Sequence, residues 1–167
     1  MPTTLRSRLS LLCLVAAIVA AGTLPATATS SELKPGPLPT VVPVPPTKAE
    51  RAARFALGEV GVPYRWGGES PSTGFDCSGL VRWAYLRVGV DLPHNSYALY
   101  GQGRRVSESK LAPGDILFFE GLGHVGLYIG RGRMVHAPET GRNVEIVRLS
   151  GSNYGSRLIG ARRVVAA

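Results

Sequence analysis

Cys77 stands in the stretch TGFDCSGLVRWAY, residues 73–85, and it is the residue with the strongest latent chemistry in the chain. The thiolate, not the thiol, is the nucleophile, so the question is what lowers the cost of ionising it. Asp76 is suited to cap a helix, since its carboxylate accepts from the free N–H groups of a first turn. Cys77 is then the first helical residue, where the helix dipole favours negative charge. Ser78 and Gly79 are small, so a substrate can approach that turn. The unpaired N–H groups of the turn are also donors on which an oxyanion can settle. Against this stands a plainer reading, in which a lone cysteine is a small, inert core hydrophobe.

A thiol nucleophile needs a base. The chain has three histidines, His94, His124 and His136. His124 opens the alternating stretch HVGLYI. Period two puts His124, Gly126 and Tyr128 on one face and Val125, Leu127 and Ile129 on the other, the core face. His136 closes the following stretch, MVH. Histidines on neighbouring strands of a hairpin come within reach of each other, so that one acts as base and the second orients it, the logic of a triad with a polar third member. The rival readings are a solvated strand-edge residue for His124 and a satisfied core residue for His136. His94, in LPHNS, reads as surface or substrate rim, and Asp91 and Asp115 read as turn residues. Two histidines and one thiol lack the compact spacing of a structural zinc motif, and no cofactor is implied.

The elements that must position these groups follow from pattern. Thr47 and Glu50 have capping-box spacing, and Ala49, Ala53, Ala56, Leu57 and Val60 form an apolar stripe, so a helix starts near residue 47 and ends at Gly61 and Pro63. Residues 64–74, YRWGGESPSTG, form a loop. A second helix spans about 77–88, with Leu80, Val81, Ala84, Tyr85 and Val88 buried. Short strands follow at about 116–119, 124–129, 133–137, 144–149 and 158–165. Helices first and then a meander of strands means α+β, with N-terminal helices packed on an antiparallel sheet of five to six strands.

Ahead of this domain, residues 47–167, lie two other segments. Residues 1–28 read as a secretory signal peptide: Arg6 and Arg8 precede an apolar run at 9–21, and Ala26-Thr27-Ala28 fits a small-x-small cleavage site. An uncleaved membrane anchor is the alternative, though the run is short for a span. Residues 29–46 are a Pro-rich linker. Cleavage removes Cys13, leaving Cys77 as a single thiol where a disulfide scaffold would use an even number. It also lowers the formal charge from +8 to +6. A basic protein outside the cytoplasm is drawn to acidic surface polymers or anionic lipid; no nucleic-acid motif is present. The expected location is secreted or in the cell envelope, with no stable membrane insertion after cleavage and a monomeric state.

PYRWGG, DCSGLVRWAY, LAPGDILFF and HVGLYIGRGRMVHA follow in the order seen in the NlpC-type cell-wall peptidases, a papain-like branch of cysteine peptidases, and the sequence resembles that family from about residue 49 to 166. The resemblance implies a papain-like fold with Cys77 as nucleophile, His124 as general base and His136 as third member. It implies that Tyr64 lines the site near the oxyanion position, with Asp76 and Ser78 beside it. It also implies the substrate: stem peptides of peptidoglycan, cut between D-glutamate and diaminopimelate or lysine. Arg65, Arg82, Arg104 and Arg105 are then candidate partners for stem carboxylates. Two rivals use the same fold, a non-catalytic or latent wall-binding module and an amidase or acyltransferase.

Overall fold

The computed structural model describes residues 44–164. The expected signal peptide, Cys13 and most of the expected linker lie outside the described residues. Helix α1, Lys48–Gly58, begins as the capping-box spacing requires. Thr47 Oγ1 accepts from Glu50 N–H at 3.1 Å, and Glu50 Oε2 accepts from Thr47 N–H at 2.8 Å. A two-stranded ribbon, β1 (Glu69–Ser70) and β2 (Gly74–Phe75), shapes the glycine-rich loop. Helix α2 is Cys77–Leu86, and a short helix α3 is Ser96–Tyr100. Strands β3 (Arg104–Val106), β4 (Ile116–Phe119), β5 (Val125–Gly130), β6 (Arg133–His136), β7 (Glu145–Arg148) and β8 (Leu158–Arg163) form one antiparallel sheet in the order β3-β8-β4-β5-β6-β7.

The sheet is covered on both faces. Helices α1 and α2 bring Ala52, Ala56, Leu80, Val81, Ala84 and Tyr85 against Ile116, Phe118, Val125, Leu127 and Val135. On the other face Leu117, Phe119, Met134 and Ala161 pack with Tyr128, Val147, Tyr154 and Leu158. All four residues of β4 are therefore buried, which is why ILFF is a continuous apolar run rather than an alternating one. The half-buried strand expected at 124–129 is corrected in the same way. Val125, Leu127 and Ile129 do face the helices, but Tyr128 meets a second apolar cluster instead of solvent.

Helix α2 ends two residues earlier than its apolar pattern suggests, because the chain turns at Arg87 and Gly89 takes φ 76°. Helix α3 and edge strand β3 have no counterpart in the sequence reading. Each is a few residues long and held by tertiary pairing, β3 by β8 and α3 by the burial of Leu99 in the core. Asp115 is more than a turn residue. It is fully buried and takes two hydrogen bonds from the Arg163 guanidinium at 2.6 and 2.7 Å, tying the start of β4 to the end of β8. Beside it the Tyr85 hydroxyl donates to Gly114 O at 2.6 Å, fastening α2 to the same turn.

Candidate active site

Asp76 organises the start of α2. Its Oδ1 accepts from Gly79 N–H at 2.7 Å and from the Ser78 hydroxyl at 3.1 Å, while its Oδ2 accepts from Gly67 N–H at 3.0 Å. His94 Nε2 lies 2.9 Å from the same Oδ1. One carboxylate thus caps the helix and pins the RWGG loop and His94 to it. Gly79 is required by the closeness of that loop: a Cβ there would lie 2.0 Å from Gly68 O and 2.9 Å from His94 Nε2.

Cys77, the first residue of α2, is partly buried with its side chain against the helix-side core. Burial is the largest influence on the thiol and raises its pKa. The backbone N–H groups of Val125, Ser78 and Cys77 itself favour the thiolate and pull the other way, and Asp76 adds to the rise. The net direction is upward. This departs from the sequence expectation of a thiol poised low by the helix start, because desolvation of the charged form outweighs a few backbone dipoles.

His124 and His136 meet as the hairpin pairing requires. His124 Nε2 and His136 Nδ1 are 2.8 Å apart, with the rings edge to face at a centroid distance of 5.0 Å. Tyr154 closes over both, 4.8 Å from the His136 ring and 5.6 Å from that of His124, and Phe119 lies 5.7 Å from His124. Burial holds both imidazoles well below their ordinary pKa. The neighbouring ring and Arg157 add to this at His124, and Arg142 adds to it at His136. Both rings are therefore neutral at neutral pH. Since His124 Nε2 is engaged with His136, Nδ1 is the nitrogen left for a partner outside the pair. Gly126 gives the pair room, because a Cβ there would lie 3.2 Å from His136 Cβ. The glycine of HVG is thus a packing consequence of neighbouring strand β6, whose Met134 Sδ would lie closer still, at 2.8 Å.

Cys77, His124, Tyr64, Asp76 and Ser78 line one cleft of about 430 Å³, together with Trp66, His94, Tyr97 and Pro138. Tyr64 is half-buried, and its hydroxyl pKa is raised by burial and then by the neighbouring Cys77 and Asp76. His136 lies behind His124, fully buried. A second cleft of about 380 Å³ continues past His124 and is lined by Glu139, Arg142, Tyr154 and Arg157. The six site residues expected from sequence therefore gather in one place. The four arginines do not. Arg65 is exposed beside the cleft without lining it, and Arg82 is engaged by Glu69 and Asp91. Arg104 and Arg105 lie on edge strand β3. The arginines that do reach the cleft system are Arg142, in the loop before β7, and Arg157, in a single 3-10 turn before β8, and no local pattern reveals their placement. His94 belongs to the cleft rather than to the surface.

Architecture and cleft together define an α+β protein of the papain-like class. The family model of the NlpC/P60 family matches residues 61–163, and the chain belongs to that family. It is 46% identical over 130 residues to a probable endopeptidase of Mycobacterium tuberculosis, covering 74% of this chain and 34% of that one. It is 38% identical over 130 residues to the murein DD-endopeptidase MepH of Escherichia coli, covering 71% of this chain and 48% of that one. Over 98 residues it is 41% identical to the bifunctional muramidase/DL-endopeptidase CwlT of Bacillus subtilis, covering 55% and 30%. The chain thus matches half or less of the length of these curated relatives. Among solved structures, an NlpC/P60 family protein from Bacillus cereus superposes with a TM-score of 0.68 at 34% identity, covering 75% of this chain and 42% of that one. The peptidoglycan hydrolase RipB of Mycobacterium tuberculosis superposes with a TM-score of 0.64 at 32% identity, covering 72% and 66%.

Proposed function

We propose that this protein is an exported cysteine endopeptidase that hydrolyses the stem peptides of peptidoglycan, at the bond between D-glutamate and diaminopimelate or lysine. The observation that carries the reading is the His124–His136 contact at 2.8 Å, at a cleft that Cys77 and His124 both line. That contact supports Cys77 as nucleophile, His124 as neutral base and His136 as the group that orients it. The printed names of the relatives support the substrate class.

In the proposed reaction His124 Nδ1 takes the thiol proton as Cys77 Sγ attacks the scissile carbonyl carbon. Prior ionisation is not required of a thiol whose pKa is raised; the neutral imidazole supplies the driving group. The tetrahedral oxyanion is held by the Cys77 backbone N–H at the helix start, with the Tyr64 hydroxyl as second donor. His124 returns the proton to the leaving amine, and a thioester remains on Cys77. Water then attacks the thioester carbonyl, giving one proton to His124. The carboxylic acid leaves and the thiol is restored.

A second reading concerns the bond. The Escherichia coli relative is named a DD-endopeptidase and the Bacillus subtilis relative a DL-endopeptidase. Mass spectrometry of soluble fragments from purified peptidoglycan, incubated with the mature protein and with Cys77→Ala, separates the possibilities. New fragments ending in D-glutamate, made only with the thiol present, support the D,L reading. Opened cross-links with intact stems move it to the D,D bond. Sedimentation with the wall and no fragments from either form replaces catalysis with binding.

A further inference from the structure

Glu145 stands directly opposite His136 in the β6–β7 pairing. Cross-strand partners project to the same face, and the carboxylate Oε1 lies 3.4 Å from His136 Nε2. That nitrogen is buried and has no formed hydrogen bond. The same Oε1 accepts from Arg142 Nη2 at 2.5 Å, so the carboxylate is itself anchored. His136 is faced by His124 from the start of β5, by Glu145 from β7, by Arg142 from the loop before β7, and by Tyr154 from the loop before β8.

Tautomers decide what this arrangement does. A neutral imidazole carries one proton. If His124 is to accept a proton at Nδ1, its own proton must be on Nε2 and donated to His136 Nδ1. His136 must then carry its proton on Nε2, pointing towards Glu145. In the opposite arrangement His136 Nδ1–H donates to His124 Nε2, and His124 Nδ1 is already protonated and useless as a base. That arrangement also turns a bare lone pair of His136 Nε2 towards a carboxylate, which is electrostatically unfavourable. We infer that Glu145 is a positioning residue, which selects the Nε2–H tautomer of His136 and through it keeps His124 Nδ1 free to take the thiol proton.

This inference rests on the proposed roles of Cys77 and His124, and the test separates the two. The variants Glu145→Ala, Glu145→Gln and Glu145→Asp are compared with the unmutated protein. The readouts are steady-state kinetics on a defined stem peptide and nitrogen-15 NMR of labelled histidines without substrate. Glu145→Ala should lower kcat about ten- to hundredfold, the scale of losing a charged partner that favours one tautomer, with KM little changed. Its His136 should leave the pure Nε2–H state. Glu145→Gln keeps an acceptor oxygen, so the tautomer should persist with a smaller loss of kcat, and Glu145→Asp should recover part of it. A Glu145→Ala protein with unaltered histidine tautomers, or with kcat within about twofold of the unmutated protein despite a lower Tm, overturns the inference. Full activity in Cys77→Ala overturns the cysteine reading instead, and the NMR result stands apart from it.

Discussion

His124 Nε2 and His136 Nδ1 lie 2.8 Å apart, each ring spending one nitrogen on the other. The contact leaves His124 one free nitrogen, so its basicity depends on what His136 does. His136→Leu, which keeps bulk but removes the acceptor, should lower kcat about a hundredfold, within the range that general-base catalysis supplies. His136→Asn should lose less, since its amide can still accept. Equal losses in the two variants would show that the ring's packing, and not its hydrogen bond, is what matters.

The same pair makes stability depend on pH in a stated direction. His136 is buried and His124 half-buried, both are neutral, and their folded pKa values lie below the unfolded one. The unfolded chain therefore binds more protons below its own histidine pKa of about 6.5. Stability is fully present above that pH and falls as the pH drops from there towards the folded values near 4 and 3. Thermal melts across this window should show a falling Tm, and the fall should shrink in a His124→Asn, His136→Asn double variant. A flat profile would mean that the rings are solvated.

Cys77 should alkylate more slowly at neutral pH than a free thiol, and its rate should climb only above the ordinary thiol range, because burial opposes ionisation. Iodoacetamide labelling against pH checks this. A midpoint below that of a free thiol would restore the picture of a thiolate poised by the helix start and the histidine.

Asp76→Ala removes the acceptor for Gly79 N–H, Gly67 N–H, the Ser78 hydroxyl and His94 at once. The expected cost is about 2 kcal/mol in urea unfolding, with Asp76→Asn recovering part of it through its amide oxygen. A cost below about 0.5 kcal/mol would mean that water replaces these bonds without penalty.

Away from the cleft, Asp115→Ala leaves the Arg163 guanidinium without its buried partner. Breaking such a pair from one side costs about 3 kcal/mol or more. Tm should fall while kcat at 25 °C holds, because the hydrogen-bond partners of Asp115, namely Ala112, Tyr128 and Arg163, lie outside the cleft lining. A matching fall in kcat would tie this corner of the sheet to the chemistry.

Much of this architecture is legible in the chain because it is local. The capping box at Thr47 and Glu50, the Asp76 cap and the period of the α2 stripe each involve residues within a turn or two of one another. The two histidines could be brought together on paper because a tight turn at residues 130–132 forces strands 125–130 and 133–136 into register. The motifs DCSG and HVG could be read even though the reasons for their glycines are distant. Gly79 is set by Gly68 and His94, and Gly126 by His136 and Met134.

What local pattern could not supply was decided where separate segments meet. His94 reaches Asp76 across eighteen positions, and Arg163 reaches Asp115 across forty-eight. His94 could be read only as surface or substrate rim and Asp115 as a turn residue, because nothing near them in sequence marks their partners. Edge strand β3 and helix α3 are too short to hold by propensity and exist through burial and pairing. The thiol's balance was decided in the same way. A helix start and a nearby histidine are readable in the chain and argue for a low pKa. The desolvation that reverses the sign comes from packing against the core, which only the tertiary structure brings about. The sequence alone determined which groups the site contains and which turns and caps present them. Tertiary packing decided their protonation, their second partners and the opposition of Glu145 to His136, because electrostatic energies depend on distance and burial in space rather than on order along the chain.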